Sequence, residues 1–359
     1  DAVIWAVKRV RLARYICPAK GAMAQIESDA NVDREMTGLR EALAFLAETL
    51  GKHAERSRGL ASVHERAEMQ AVRFAEVCDS HDREAVHWYE LSANGFSFHA
   101  TPLDLSQPLR DLRAQSHAAW IFTSATLSVA GRFEHFARQL GLDEPVTLSL
   151  ESPFDYARQA LAYLPQGLPD PAAPDYVERV LDAVLPVLEA SRGRAFLLFT
   201  SHRALRRAAE ILPQRVAFPL FVQGSAPRHR LLTKFRAAGN GVLLGAASFW
   251  EGVDVAGEAL SVVVIDKLPF AAPDDPVLVA RLDALREAGG NPFTDWQIPA
   301  AVIALKQGAG RLIRDVHDRG VLVLCDPRLT SRAYGKLFLA SLPPLPRTRA
   351  LADVERFFA

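Results

Sequence analysis

The chain has 359 residues, 49% hydrophobic and 23% charged, the balance of a soluble globular protein with room for two domains. Lys plus Arg number 42 and Asp plus Glu 42, which excludes a basic tail, so any nucleic-acid contact must be a local groove. Cys17, Cys78 and Cys325 lie far apart, with neither CxxC nor metal spacing, which makes a disulfide framework or a metal centre unexpected. No apolar run approaches a membrane span and no signal peptide is visible, so a reducing, cytosolic setting is expected. The chain opens at Asp1 rather than Met, which reads as an internal start.

Residues 1–85 read as helical. From Asn31 to Lys52, Met36, Leu39, Leu43, Leu46 and Leu50 recur at helical spacing, and Ser62 to Val77 sets Val63, Met69, Val72 and Phe74 among many charges. A helical hairpin or bundle with solvated outer faces is expected, carrying no chemistry. Arg9, Arg11 and Arg14 make too short a basic cluster to mark nucleic acid. Near Ala85 the period changes: Val86 to Leu91 and Ser97 to Ala100 look like short strands around an Asn94-Gly95 turn. A helix is expected from Ser106 to Arg113.

From Ala119 the pattern turns α/β. Trp120-Ile121-Phe122 reads as a buried strand running into Thr123-Ser124-Ala125-Thr126-Leu127, and Phe133 to Leu140 as a helix ended by Gly141. Small hydroxyl residues at a strand's carboxyl end are where doubly wound sheets keep their binding loops. Ser152 to Tyr156 and the proline-rich Leu164 to Pro174 look like a linker. Beyond it, strands at Arg194–Phe199, Pro219–Val222, Gly241–Ala246, Leu260–Ile265 and Val321–Cys325 alternate with helices at Tyr176–Leu188, up to Leu212, Arg228–Arg236, Pro276–Glu287 and Asp295–Ile313. That alternation argues for a parallel sheet covered by helices on both faces.

Gln307-Gly308-Ala309-Gly310-Arg311-Leu312-Ile313-Arg314 closes the last long helix. On a helix Gln307, Arg311 and Arg314 fall at i, i+4 and i+7, one face. One amide and two guanidiniums make a poor core and a good clamp for phosphate oxygens; the alternative is a surface helix with solvated arginines. Gly308 and Gly310 cost about 1 kcal/mol each in a helix, which suggests a close approach by another backbone or a ligand. Ser248-Phe249-Trp250-Glu251-Gly252-Val253-Asp254 follows a strand directly. Its aromatics and hydroxyl suit single-stranded nucleic acid and its carboxylates suit a ribose, a water or a cation; the alternative is a capped turn with both rings in the core. Thr200-Ser201-His202 reads as a helix cap or a ligand loop. Lys267 either binds phosphate or braces its loop, and Asp318, Asp326 and Arg328 read first as structural.

In this order and at these distances, Thr123 to Leu127, Phe199 to Ser201, Ser248 to Asp254 and Gln307 to Arg314 resemble motifs III, IV, V and VI of superfamily 2 helicases. Phe249 to Asp254, Gln307 to Arg314, Ser152-Pro153-Phe154 and Lys267 to Phe270 are similar to the DinG/YoaA branch, bacterial relatives of XPD. The resemblance covers the chain from about Val86. It implies a RecA-like parallel sheet with helices on both faces as a second motor domain (176–359). Before it would come a helical region at 1–85, in the position of the arch insertion, the end of a first motor domain at 86–151 and a linker at 152–175. It implies Arg311 and Arg314 as arginine fingers at the ATP γ-phosphate, with Gln307 on the same cleft face. Glu251, Gly252 and Asp254, with Thr123, Ser124 and Thr126, would couple the nucleotide to DNA. Thr200, Ser201, Ser248, Phe249 and Trp250 would meet the DNA strand.

The chain departs from the pattern in what it lacks. It contains no G-x-x-x-x-G-K-[ST] phosphate loop, no Asp-Glu-Ala-His box and not the family's four cluster cysteines. ATP and Mg²⁺ are therefore expected with ligands mostly outside this chain, an iron–sulfur cluster only in a full-length protein, and no ATPase from this stretch alone. The resemblance implies 5′ to 3′ translocation on single-stranded DNA in repair or replication. It also implies a meeting with the chi subunit of the replicative polymerase, for which Pro343 to Phe358 is a candidate if it is not simply a packed terminal helix. A non-motor binding module with a RecA-like fold and a nuclease relative are the alternatives.

Overall fold

The structure, a computed structural model, describes residues 2–12, 19–26, 29–78, 84–92, 95–250 and 259–359, without side-chain detail at 11, 12, 247 and 248. By contact the chain forms two units: Asp1–Leu112 with Ala271–Pro292, and Arg113–Phe270 with Phe293–Ala359.

The first unit holds α1 (Ala2–Leu12), β1 (Lys20–Ala22), α2 (Ala30–Gly51), α3 (Arg58–Cys78), β2 (Ala85–Leu91) and β3 (Phe96–Pro102). Asp29 starts α2 by accepting from the amides of Asn31 and Val32, a side-chain cap for two orphan donors. Of the α2 stripe, Met36 and Leu39 enter the core beside Ala6, Val10 and Tyr89, and Leu43 packs against it, while Leu46 faces solvent. β2 and β3 form the expected antiparallel hairpin, pairing Val86 with Thr101 and Leu91 with Phe96; Asn94 of the turn lies outside the described residues. β1, only Lys-Gly-Ala and without alternation, adds a third strand antiparallel to β2. α4 (Ser106–Ala114) and α5 (Glu134–Gln139) follow close to their expected places.

Residues 119–124 are not a strand. Ile121 is 84% exposed and Trp120 42%, the reverse of the buried strand that the sequence suggests. Among the described residues none pairs with this segment, and an apolar run becomes a strand only when a neighbour takes its backbone hydrogen bonds.

The second unit is built on seven parallel strands. α6 (Tyr156–Gln159) leads into β4 (Ala160–Tyr163), which lies inside the stretch read as linker. Then come α7 (Tyr176–Ala190), β5 (Ala195–Leu198), α8 (His202–Ile211), β6 (Leu220–Val222), α9 (Arg228–Ala238), β7 (Val242–Gly245), α10 (Ala247–Trp250) and β8 (Val262–Ile265). After α11 (Pro276–Glu287), which belongs to the first unit, a π-helical turn at Phe293–Gln297 opens α12 (Ile298–Ala309). β9 (Gly320–Leu324), α13 (Arg328–Ser331), α14 (Gly335–Ser341), β10 (Arg347–Thr348) and α15 (Leu351–Phe358) complete the chain. The strand order is β10-β4-β9-β8-β5-β7-β6. β5, β7, β8 and β9 are buried along their whole length, as their uninterrupted apolar runs require of central parallel strands. Helices cover both faces. α7 and α8 pack against Leu197, Leu244 and Val264 on one face, and α12 and α14 against Phe196, Val263 and Leu322 on the other. α15 packs Val354 fully into the first of these layers, so the tail is a docked terminal helix. No described helix is long and apolar enough to cross a membrane.

The hydroxyl of Tyr176, on α7, ties two strand ends by donating to the carbonyls of Asp266 (2.7 Å) and Cys325 (3.1 Å). The residue is 1% exposed. Tyr176→Phe leaves both carbonyls without that donor and should lower the unfolding free energy by about 1–2 kcal/mol in a denaturant titration. An unchanged midpoint would mean that this tie contributes nothing.

Candidate nucleotide and nucleic-acid site

The glutamine–arginine segment does not form one helical face. α12 ends at Ala309, with the Gly310 amide bonding back to the Lys306 carbonyl (2.8 Å). Gln307 is on the helix; Arg311 and Arg314 are on the loop that leads to β9. Two weak helix formers, Gly308 and Gly310, let the helix stop there, and the Asp318 carboxylate fixes the loop by accepting from the amides of Arg314 (2.8 Å) and Asp315 (2.9 Å). Gly308 does mark a close approach, but by a side chain: a Cβ there would stand 3.0 Å from the Trp250 ring. Arg311 turns back on the same residue, its Nε and Nη2 donating to the Trp250 carbonyl. Gln307, Arg311 and Arg314 are all half-buried.

The Ser248–Asp254 segment splits. Phe249 and Trp250 are 3% and 5% exposed and sit in the core with Phe196 and Ile265, which is the packed alternative. Rings so buried present no face to a base in this conformation. Glu251, Gly252 and Asp254 lie outside the described residues, and of Ser248 only the backbone, within α10, is described.

Ser201 caps α8, its hydroxyl accepting from the Ala204 amide at 3.1 Å. It also lines a cleft of about 700 Å³ with Arg203, Arg206, Arg207 and Lys267. The basic triplet at i, i+3 and i+4 of α8 was legible in the sequence and went unused there. Arg207 is held by Glu178. Lys267 braces its loop, donating to the Pro171 carbonyl (2.7 Å) and sitting over the Tyr176 ring. Thr123 and Ser124 are exposed, and Ser124 turns the chain by accepting from the Thr126 amide (3.1 Å).

Two buried carboxylates organise the loops after β8 and β9. Asp326 holds Arg328 and accepts from the Leu268 amide (2.7 Å), a structural pair as expected. Beside it an aromatic shelf was not anticipated. Phe293, 38% exposed, stacks on Phe270, with Tyr334 edge-on to both and Arg328 over Phe270. Its members come from separate stretches, so no local pattern announces it. Asp266 accepts from the amides of Thr200 (2.9 Å) and Lys267 (2.7 Å). Burial nevertheless pushes its carboxyl from 3.8 up to about 7, against those amides and the Lys267 charge. Among the described residues no group of three or more His, Cys, Asp or Glu could hold a metal ion. The guanidinium and ammonium donors of the described residues suit phosphate oxygens.

Residues 184–345 match the helicase C-terminal domain family. A solved XPD helicase covers 97% of the chain, with 64% of its own length, at a TM-score of 0.63 and 16% identity. Apo XPD covers 96%, with 68% of its length, at 0.62 and 16%. At that identity the likeness speaks to the fold alone, and the second unit has a RecA-like fold.

The chain is similar over most of its length to helicases of the DinG/YoaA branch. It is 43% identical over 340 residues to the ATP-dependent DNA helicase YoaA of Escherichia coli K12, covering 95% of this chain and 54% of that protein. It is 37% identical over 282 residues to the ATP-dependent helicase DinG of Mycobacterium tuberculosis H37Rv, covering 76% and 42%. It is 31% identical over 326 residues to the 3′-5′ exonuclease DinG of Bacillus subtilis, covering 87% and 34%. The chain spans about half the length of the YoaA relatives it matches.

The Asp266 geometry sets a pH dependence. Its folded pKa lies above the unfolded one, so folding takes up a proton between pH 3.8 and about 7. Its contribution to stability therefore falls as pH rises through that window and levels off above it. Asp266→Asn keeps an acceptor for both amides and removes the ionisation. The variant should gain on the wild type by roughly 4 kcal/mol across this range, read by denaturation at stepped pH. Parallel stability curves would show that Asp266 stays ionised in the fold.

Proposed function

We propose that this protein at full length is an ATP-dependent DNA helicase that couples ATP hydrolysis to 5′ to 3′ movement on single-stranded DNA, in repair or replication in the cytoplasm. The observation that carries the reading is the Gln307–Arg314 segment, an amide and two guanidiniums, all half-buried, in the stretch that joins α12 to β9 of a RecA-like sheet. In this reading Arg311 and Arg314 stabilise charge on the transferred γ-phosphoryl, a role that needs fixed guanidinium donors and no covalent chemistry. Gln307 lies beside them on the same cleft. The seven-stranded sheet from β4 onward, without α11, acts as the second motor domain, the residues from 86 up to α6 as the end of the first and the approach to it; residues 1–85 are the arch.

Glu251, Gly252 and Asp254 with Thr123, Ser124 and Thr126 couple the nucleotide to the DNA. The strand is held by Thr200, Ser201 and Ser248, with Arg203 and Arg206 adding charge along the cleft. Buried Phe249 and Trp250 support that loop from beneath, and bases stack instead on the Phe270–Phe293–Tyr334 shelf. The β-phosphate and Mg²⁺ are held by a phosphate loop and a carboxylate pair outside this sequence, and any iron–sulfur cluster likewise. Contact with the chi subunit of the replicative polymerase belongs to this reading too, at a surface other than the docked 343–358 tail.

DNA-stimulated ATPase of the full-length protein tests it, with Arg311→Ala and Arg314→Ala. Each should lower kcat about a thousandfold with little loss of ATP binding. Arg311 also holds the Trp250 carbonyl, so its variant should melt earlier as well. Near-normal ATPase in both would leave the guanidiniums structural and bring forward a binding module without a motor.

A further inference from the structure

The turn at 128–132 follows directly on the Thr123–Leu127 stretch, and it is seated on the second unit by three separate contacts. Val129 is buried in the core that lies under α12. The Ala130 amide donates to the Ser341 hydroxyl at 2.9 Å, and that hydroxyl in turn donates to the Leu337 carbonyl at 2.7 Å. The Lys306 ammonium donates to the Ser128 carbonyl at 2.8 Å, with the Ser128 hydroxyl at 3.4 Å. The turn closes on itself through the Val129–Arg132 bridge, so it moves as one piece.

Lys306 is an unusual tie. It is half-buried, and among the described residues no carboxylate forms a salt bridge with it. Burial pushes its pKa down. A half-buried ammonium that leaves Ser128 loses the acceptors placed to replace water, so the contact holds the two segments together. Its backbone faces the other way: the Lys306 carbonyl accepts from the Gly310 amide, the bond that ends α12 just before Arg311. One residue therefore joins the 123–132 segment through its side chain to the arginine loop through its main chain.

We infer that Lys306 is a positioning residue that sets the Gln307–Arg314 segment according to the state of the 123–132 segment. The inference rests on the helicase reading above. Lys306 touches no substrate in this scheme. It makes the arginines respond when the Thr123–Thr126 stretch moves, and Ser341 holds the same turn from α14.

The test is DNA-stimulated ATPase of the full-length protein carrying Lys306→Met, Lys306→Arg, Ser341→Ala and the Met–Ala double variant, with thermal melting alongside. Lys306→Met keeps the apolar stem and removes the donor. It should lower the DNA-stimulated kcat about tenfold or more while the KM for ATP stays within about twofold, since phosphate binding is not the step disturbed. Lys306→Arg restores a donor and should recover most of the rate. Ser341→Ala should lower kcat in the same sense, and the double variant should be no slower than Lys306→Met, because either change releases the one turn. A Lys306→Met enzyme within twofold of wild type, or Lys306→Met and Ser341→Ala effects that multiply, overturns the inference. If Lys306→Met does not fold, Ser341→Ala decides alone: a wild-type kcat overturns it and a lowered kcat at unchanged KM and melting temperature supports it. A wild type without DNA-stimulated ATPase overturns the helicase reading itself, an outcome separate from any result on Lys306.

Discussion

A parallel sheet buried on both faces must end its strands somewhere, and here the carboxyl ends are tied by buried polar groups. Tyr176 bridges the carbonyls after β8 and β9, Asp266 takes the amides of Thr200 and Lys267, and Asp326 takes the amide of Leu268 and the Arg328 guanidinium. Each group is costly to bury alone and is stabilised by its partners. The ties fix the loops after β5, β8 and β9 relative to one another. The basic cleft at Ser201 and the aromatic shelf at Phe293 both hang from them.

Parallel strands were easy to find because burial on both faces writes them as unbroken apolar runs. Val262–Ile265 and Val321–Leu324 needed no partner to be recognised. β4 and β10 were missed for the opposite reason. Ala160–Tyr163 is half alanine and sits among prolines, and Arg347–Thr348 is two residues long; only pairing with the rest of the sheet makes them strands. Trp120–Phe122 has the composition of a strand and, among the described residues, no neighbour to pair with. Composition carries propensity, and pairing supplies the hydrogen bonds.

The single helical face read from Gln307, Arg311 and Arg314 is not there, because the helix stops between the first and the second. Helical spacing cannot see a loop held by Asp318 from four residues downstream of Arg314. Gly308 pointed to a close approach and Trp250 is what approaches. The same indole decides the fate of Phe249-Trp250, since a ring packed on Gly308 is no longer offered to a ligand. Long-range ties such as Lys306 to Ser128 span 178 residues and leave no local signature.

α11 has a consequence of a practical kind. Its residues follow Phe270 in the chain, yet they fold with the first unit. Asp275 caps α11 through the Val277 and Leu278 amides and also takes the Lys20 ammonium at 2.5 Å, while Leu278 and Leu282 are buried. No single cut in the gene separates the two units. A clone that begins anywhere between 113 and 176 carries α11 without the strands it packs on. It would expose two leucines and leave Asp275 without its lysine, a recipe for poor solubility that replacing 271–292 by a short polar loop would avoid.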